Sequence, residues 1–296
     1  MSTSDSPDNE SCVSASTDLI LVGVDNRIAT LTLNRPESRN AMSTALLRDL
    51  WNAAKAAQAD DDVDVLIVTG ADPTFCAGLD LKELGAGAGA LLGAAGVPTD
   101  TPETGTPKAD TPESDSARPE TRRPGPLPRG PKPVIGAING AAITGGFELA
   151  LACDFLVASN RARFADTHAR VGIQPGWGLT VLLPQAIGLR RAREMSATGN
   201  FLDAQTALDW GVVNHVVSHD ELIGFTRGLA ADIASNDQRA VRRIFATYDA
   251  GSRVDVDGAW QVEAQASREW SSDGIDSDQI EQRRRAVVER GRDQLG

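Results

Sequence analysis

No run of apolar residues in this chain is long enough to cross a membrane, which needs about 20 in succession. The sequence therefore predicts no membrane partner. Cysteine is scarce as well. Cys12, Cys76 and Cys153 show no CxxC spacing and form no disulfide framework, so they are read as reduced thiols of a cytoplasmic protein. Basic charge is in deficit. With 29 Lys and Arg against 41 Asp and Glu, the net charge of −12 argues against nucleic acid as a partner, since a phosphate-binding surface needs clustered cations. It leaves room for a small anionic ligand held by a few local basic groups. The first residues are acidic and polar, without the basic and apolar parts of a signal peptide. Residues 1–17 are read as a disordered tail. No internal repeat is visible.

What is present is ordinary for a soluble globular protein, with 41% hydrophobic and 24% charged residues. A chain of 296 residues can bury a substantial core in one large domain or two. Leu19–Val24 and Arg27–Leu33 are β-rich and flank Asp25-Asn26, a hairpin signal. Asn34-Arg35-Pro36 ends the second strand. Ser43 then opens a helix to about Ala57, with Leu46, Leu47, Leu50, Trp51 and Ala54 on one face. Val63–Thr69 reads as a strand inside a parallel sheet. The order strand, helix, strand gives an α/β chain.

Two stretches carry chemistry. The longer, Pro133–Gly176, begins with an apolar run, Val134–Ile138, suited to a buried strand. Asn139-Gly140 and Thr144-Gly145-Gly146 turn the chain, and Phe147–Cys153 reads as a short helix. A helix start leaves backbone N–H groups free and favours negative charge. Glu148 lies in that first turn, so oxyanion donors and a candidate base sit close together. Glycine pairs also serve close packing, and a first-turn Glu also serves the dipole. The second stretch is Gly70–Leu84. There Gly78 allows the backbone to turn the Leu79 N–H toward a ligand, although an ordinary strand-to-helix loop reads the same way.

Residues 85–131 change character. Gly85, Gly87 and Ala90 match GxGxxA loosely, but no strand precedes them and a Pro-rich run follows, which argues against a dinucleotide site. The composition reads as a disordered insertion. Its basic end, Arg122, Arg123, Arg129 and Lys132, is read as a counterweight to the acidic part. Further on, Asp154–Ala158 and Ala162–Phe164 read as strands. Helices are expected over 182–187, 190–198 and 203–210, the last capped by Asp203. From Asp220 onward the pattern is helical, with Trp260 and Trp270 as packing anchors.

Taken together, FCAGLDLKEL (Phe75–Leu84) and INGAAITGGFELALACDFLVAS (Ile138–Ser159), with the later PGWG loop, resemble the two oxyanion-hole segments of the crotonase, or enoyl-CoA hydratase/isomerase, superfamily. NRPESRNAM (Asn34–Met42) and the segment Ala197–Val217 fit as well. The resemblance implies a crotonase-like spiral of ββα repeats over 18–205, interrupted by the 85–131 insertion. It implies a C-terminal helical region over 206–296 that forms a homotrimer or hexamer. It also implies an acyl-CoA thioester as substrate, with coenzyme A entering as part of that substrate and no permanently bound cofactor. Leu79 and Gly145 then supply the two N–H groups for the thioester oxygen. Ser38, Arg39, Ala41, Ala77, Asp80, Lys82 and Gly176 match positions that bind the coenzyme A moiety. Hydratases of this family use two glutamates. One matches Glu148; the other aligns with His168, a departure from the pattern. His168 can act as the acid, since imidazole titrates near neutral pH, and Asp166 is a second candidate. Equally, His168 can be a packing residue. The implied activity is an enoyl-CoA hydratase of fatty-acid metabolism. The alternatives are a double-bond isomerase, a hydrolase or decarboxylase on the same scaffold, and a non-catalytic acyl-CoA binder.

Overall fold

The hairpin predicted near Asp25-Asn26 opens the fold. The computed structural model describes residues 16–85, 125–272 and 277–295. Strands β1 (Ile20–Asp25) and β2 (Ile28–Leu33) run antiparallel through Asn26 and Arg27, at φ 51° and 63°. Two successive left-handed residues match the twist of a two-residue hairpin. Helix α1 (Thr44–Ala59) crosses to β3 (Val65–Gly70), which lies parallel to β2. Ser43 caps it, its side chain accepting the Leu46 N–H at 3.2 Å.

The other end of α1 is closed by a group whose role the sequence did not indicate. Lys132 is buried, and its Nζ donates to the backbone carbonyls of Ala57, at 3.0 Å, and Asp60. An ammonium there satisfies orphan carbonyls and meets the negative end of the dipole. Lys132→Met should lower stability by about 1–3 kcal/mol, the usual effect of leaving buried acceptors unpaired. Urea denaturation measures it, and an unchanged midpoint would show that solvent replaces the lysine.

Helix α2 (Leu81–Gly85) follows, so the segment expected to be disordered over 85–131 has ordered ends. Gly85 closes a helix, and Leu127 is 8% exposed within the core. Averaged over a Pro-rich window, composition hides one well-placed leucine. Residues 86–124 lie outside the described residues, as do Cys12 and most of the expected tail.

The chain then lays down β4 (Val134–Ile138), β5 (Ala141–Ile143), α3 (Gly145–Leu151), β6 (Phe155–Ser159), β7 (Arg163–Ala165) and α4 (His168–Val171). Next come α5 (Leu179–Ile187), α6 (Leu189–Thr198), β8 (Leu202–Asp203), α7 (Ala204–Trp210), β9 (His215–Val217) and α8 (Leu222–Ala234). Six strands form one sheet in the order β1-β2-β3-β4-β6-β9, and β5-β7-β8 form a second. Each turn of chain places one strand in the large sheet and its successor in the small one, then a short helix: β4, β5, α3, then β6, β7, α4. The turn before them does the same, with β3 in the large sheet, Cys76 bridged to Ala142 of β5, and then α2. This is a crotonase-type spiral of ββα repeats.

The large sheet is apolar on both faces. Leu66 and Val68 face a core shared with α1, whereas Val65 and Ile67 face a second core closed by Leu222 and Ala230 of α8. Burial on both faces is why Val65–Thr69 reads as an unbroken apolar run.

The chain divides into two compact units, 1–238 and 239–296. The boundary expected at 205/206 falls later, because Ala204 and Ala207 of α7 and Leu222 and Ala230 of α8 enter the cores of the first unit. An amphipathic helix does not reveal in its sequence which body will cover its face. The second unit holds most of α9 (Gln238–Gly251), with α10 (Val256–Ser272) and α11 (Ser277–Leu295). Within it Arg239 stacks over Trp270, 4.4 Å from the ring centre, and Arg243 pairs with Glu269. Trp260, expected as a packing anchor, is instead 68% exposed in this chain.

Candidate active site

Three backbone strips are laced together around Gly145. The loop after β3 joins the edge of β5, with the Cys76 N–H donating to Ala141 O at 2.9 Å and the Ile143 N–H to Cys76 O at 3.0 Å. The loop before α1 joins the same strip from the other side. Met42 donates to Gly78 O at 2.7 Å, Asp80 to Met42 O at 3.0 Å, and Ala77 to Arg39 O at 3.0 Å. Asn40, wholly buried, holds that loop in place, donating to the carbonyls of Ala71 and Thr74 and accepting from the Arg35 N–H.

Gly78 and Gly146 are glycines for distinct reasons. Gly78 has φ +100°, and a Cβ there would lie 2.8 Å from Ile143 O and 3.6 Å from Gly145 N. The Cα of Gly78 thus packs close against the start of α3. A Cβ on Gly146 would sit 2.2 Å from Cys76 O, so only glycine lets α3 start against this loop. Thr144, just before the helix, is held at φ 55°, ψ −114°, an unfavourable state for a β-branched residue. Its N–H donates to Ala165 O at 2.8 Å, and its Oγ1 lies 2.5 Å from Thr167 Oγ1. These bonds fasten the turn before α3 to the loop that carries His168.

Glu148, Asp166 and His168 form one buried chain. Glu148 is 2% exposed, and its Oε1 accepts the Trp177 N–H at 2.8 Å. Its Oε2 lies 3.5 Å from His168 Nε2. On the far side of the ring, Nδ1 lies 2.6 Å from Asp166 Oδ1. Burial disfavours the charged ring, but hydrogen bonds and charge from Asp166 and Glu148 prevail and raise His168 to about 9. Burial works against the Asp166 carboxylate too, yet hydrogen bonds from His168 and Ser196 hold it below the ordinary range. At neutral pH the site therefore holds an imidazolium between carboxyl groups.

A carboxylate and an imidazole in contact near the N–H groups that open α3 suit chemistry that passes through an enolate. Comparison with known proteins agrees. The family model described as enoyl-CoA hydratase/isomerase matches residues 23–94 and 125–294. The chain belongs to the enoyl-CoA hydratase/isomerase family.

A probable peroxisomal enoyl-CoA hydratase 1 of Arabidopsis thaliana is 39% identical over 264 residues, covering 89% of this chain and 90% of the relative. A crotonyl-CoA hydratase of Syntrophomonas wolfei is 32% identical, covering 83% of this chain and 87% of that one. Among solved structures, an enoyl-CoA hydratase of Mycobacterium tuberculosis H37Rv is similar at a TM-score of 0.66 and 46% identity. It covers 85% of this chain and 98% of that structure. The family match leaves out residues 95–124, within the segment that composition marks as an insertion.

The structure sorts the expected coenzyme A residues into three groups. Arg39, Lys82 and Gly176 are exposed. Ser38, Ala41 and Ala77 are partly buried along the laced strips. Asp80 has a different occupation. It accepts from Arg35 at 3.2 Å and from the Lys82 N–H at 3.0 Å, and these donors outweigh burial and keep it below the usual carboxylate range. Its carboxylate fixes the loop and starts α2. Cys76 and Cys153 are free and buried, and burial pushes the Cys76 thiol up to about 12, away from reactivity. Among the described residues, no helix is long and apolar enough to cross a membrane.

Two contributions escaped the sequence reading. Trp177 supplies the N–H that holds Glu148, and Met42 with Trp177 walls the Cα of Gly145. A Cβ on Gly145 would lie 3.1 Å from Met42 Cε and 3.3 Å from Trp177 Cζ3. Gly145→Ala should therefore shift the donor by a few tenths of an ångström. Turnover should fall about tenfold, since misplacing a reacting group by about 1 Å costs up to 10²-fold. The melting temperature should change little. Full turnover in this variant would remove Gly145 from the site.

Proposed function

We propose that the protein hydrates the 2,3-double bond of enoyl-CoA thioesters in fatty-acid metabolism. The observation that carries this is the buried Asp166–His168–Glu148 chain beside the Gly145 N–H. Glu148, held by Trp177, takes a proton from water as the water oxygen bonds to C3 of the substrate. The electron pair of the double bond moves onto the thioester oxygen, which the Leu79 and Gly145 N–H groups receive. A fixed donor of this kind contributes roughly 3 kcal/mol. His168 Nε2 then gives its proton to C2, and the carbonyl re-forms. Glu148 is left protonated and His168 neutral. Their 3.5 Å separation lets the proton return from carboxyl to ring, which resets the pair for the next turnover.

Arg39 and Lys82 bring positive charge to the coenzyme A end within an acidic chain, alongside the backbone of Ser38, Ala41, Ala77 and Gly176. Asp80 serves the coenzyme A site by fixing its loop. The protein works as a homotrimer or hexamer. In support, Ile244, Tyr248, Val256 and Trp260 of α9 and α10 are large apolar side chains left more than half exposed in the single chain. The buried thiols of Cys76 and Cys153 support a reducing, cytoplasmic setting.

A coupled assay across short, medium and long enoyl-CoAs, with products identified by mass, tests the reaction. A gain of one water supports hydration. Double-bond migration without gain of mass would make it an isomerase, and tight binding without turnover a binding protein.

A further inference from the structure

The imidazole of His168 has one orientation available to it, and Asp166 dictates which. Asp166 is 1% exposed, so water does not compete for its oxygens. One oxygen, Oδ1, accepts both the His168 backbone N–H at 3.1 Å and the ring at Nδ1 at 2.6 Å. Backbone and ring of the same residue are thereby tied to one atom. Ser196 of α6 adds a further hydrogen bond to the carboxylate. An ionised carboxylate only accepts, so Nδ1 must carry the proton. A ring turned over would present carbon to Asp166 and leave a buried carboxylate short of a donor. The titratable groups facing the ring are Asp166 from its own loop and Glu148 from α3.

We infer that Asp166 is a positioning residue, fixing the ring and tautomer of His168 so that Nε2 alone faces Glu148 and the reacting carbon. This rests on the assignment of His168 as proton donor, and it replaces the idea that Asp166 itself supplies the proton. The carboxylate touches no reacting atom. It acts through the histidine, as in other sites where a carboxylate sets an imidazole tautomer.

The test follows His168 directly and by turnover. Nitrogen-15 NMR of imidazole-labelled protein, with His168 identified by its loss in His168→Gln, reads tautomer and titration without substrate. In the unmodified enzyme the neutral ring should be the Nδ1–H tautomer, titrating at about 9. Asp166→Asn keeps the shape and removes the charge. It should lower that midpoint by one pH unit or more, and the alkaline limb of the hydration rate should move with it. An Nε2–H tautomer in the unmodified enzyme overturns the inference without any variant, should Asp166→Asn not fold. An unmoved midpoint in a folded Asp166→Asn overturns it as well. If the NMR midpoint moves while the rate profile does not, Asp166 positions the ring and it is the proton-donor assignment that fails.

Discussion

Glu148→Gln should lower enoyl-CoA hydration by about 10³–10⁴-fold, the upper range for loss of a general base. The glutamine side chain keeps the volume of glutamate and still offers one oxygen to the Trp177 N–H, so the fold around it should persist. The other position changes sign. Where Glu148 Oε2 faces His168 Nε2 at 3.5 Å, the amide would present N–H groups to a protonated ring. The variant therefore loses the proton acceptor, and it also loses one of the two carboxyl groups that hold the imidazolium. A charged His168 becomes harder to maintain, and its titration should fall below about 9. Steady-state rates at several pH values measure both effects. A Glu148→Gln enzyme that hydrates at near the normal rate would end the catalytic assignment as a whole, since that assignment makes Glu148 the base.

The fold was legible where the sequence repeats a physical pattern. Ser43 and the leucines after it announce α1, and the unbroken run of β3 announces a strand covered on both sides. Of the short elements, Ala162–Phe164 was read as a strand close to where β7 lies, but others were not legible. β5 and β8 hold three and two residues, and α4 holds four, too few for a period to show. At the site, motif order led to Glu148, His168, Leu79 and Gly145, and the structure brings Glu148 and His168 into contact. Two other features could not be read. The Trp177 N–H holds Glu148 whatever its side chain, because backbone groups leave no trace in residue type. Lys132 reads like any surface cation until the fold carries it to the end of a helix distant in sequence. Asp166 lies between these cases. A carboxylate two residues before a histidine suggests chemistry, but only the 2.6 Å bond to Nδ1 shows that it acts on the ring.

His168→Gln should slow hydration by about 100-fold, the usual scale for losing a general acid. It should also change the shape of the pH profile, which separates an acid from a packing residue. In the unmodified enzyme the proton on Nε2 is present below about pH 9 and absent above it, so the rate falls as pH rises through that value. Glutamine does not titrate, and the variant should lack that limb. Stability supplies an independent reading. The folded protein holds the His168 proton more tightly than the unfolded chain, where histidine titrates near 6.5. The stabilisation is complete below pH 6.5 and is lost as pH rises to about 9. The melting temperature of the unmodified enzyme should therefore decline across that window, and that of His168→Gln should decline less. Loss of the thermal trend with an intact alkaline limb in the rate would make the histidine structural. The proton for C2 would then have to come from water or from Glu148 itself, since Asp166 faces the opposite edge of the ring. Loss of both, with a rate reduced about 100-fold, fits only a histidine that gives up its proton in the reaction.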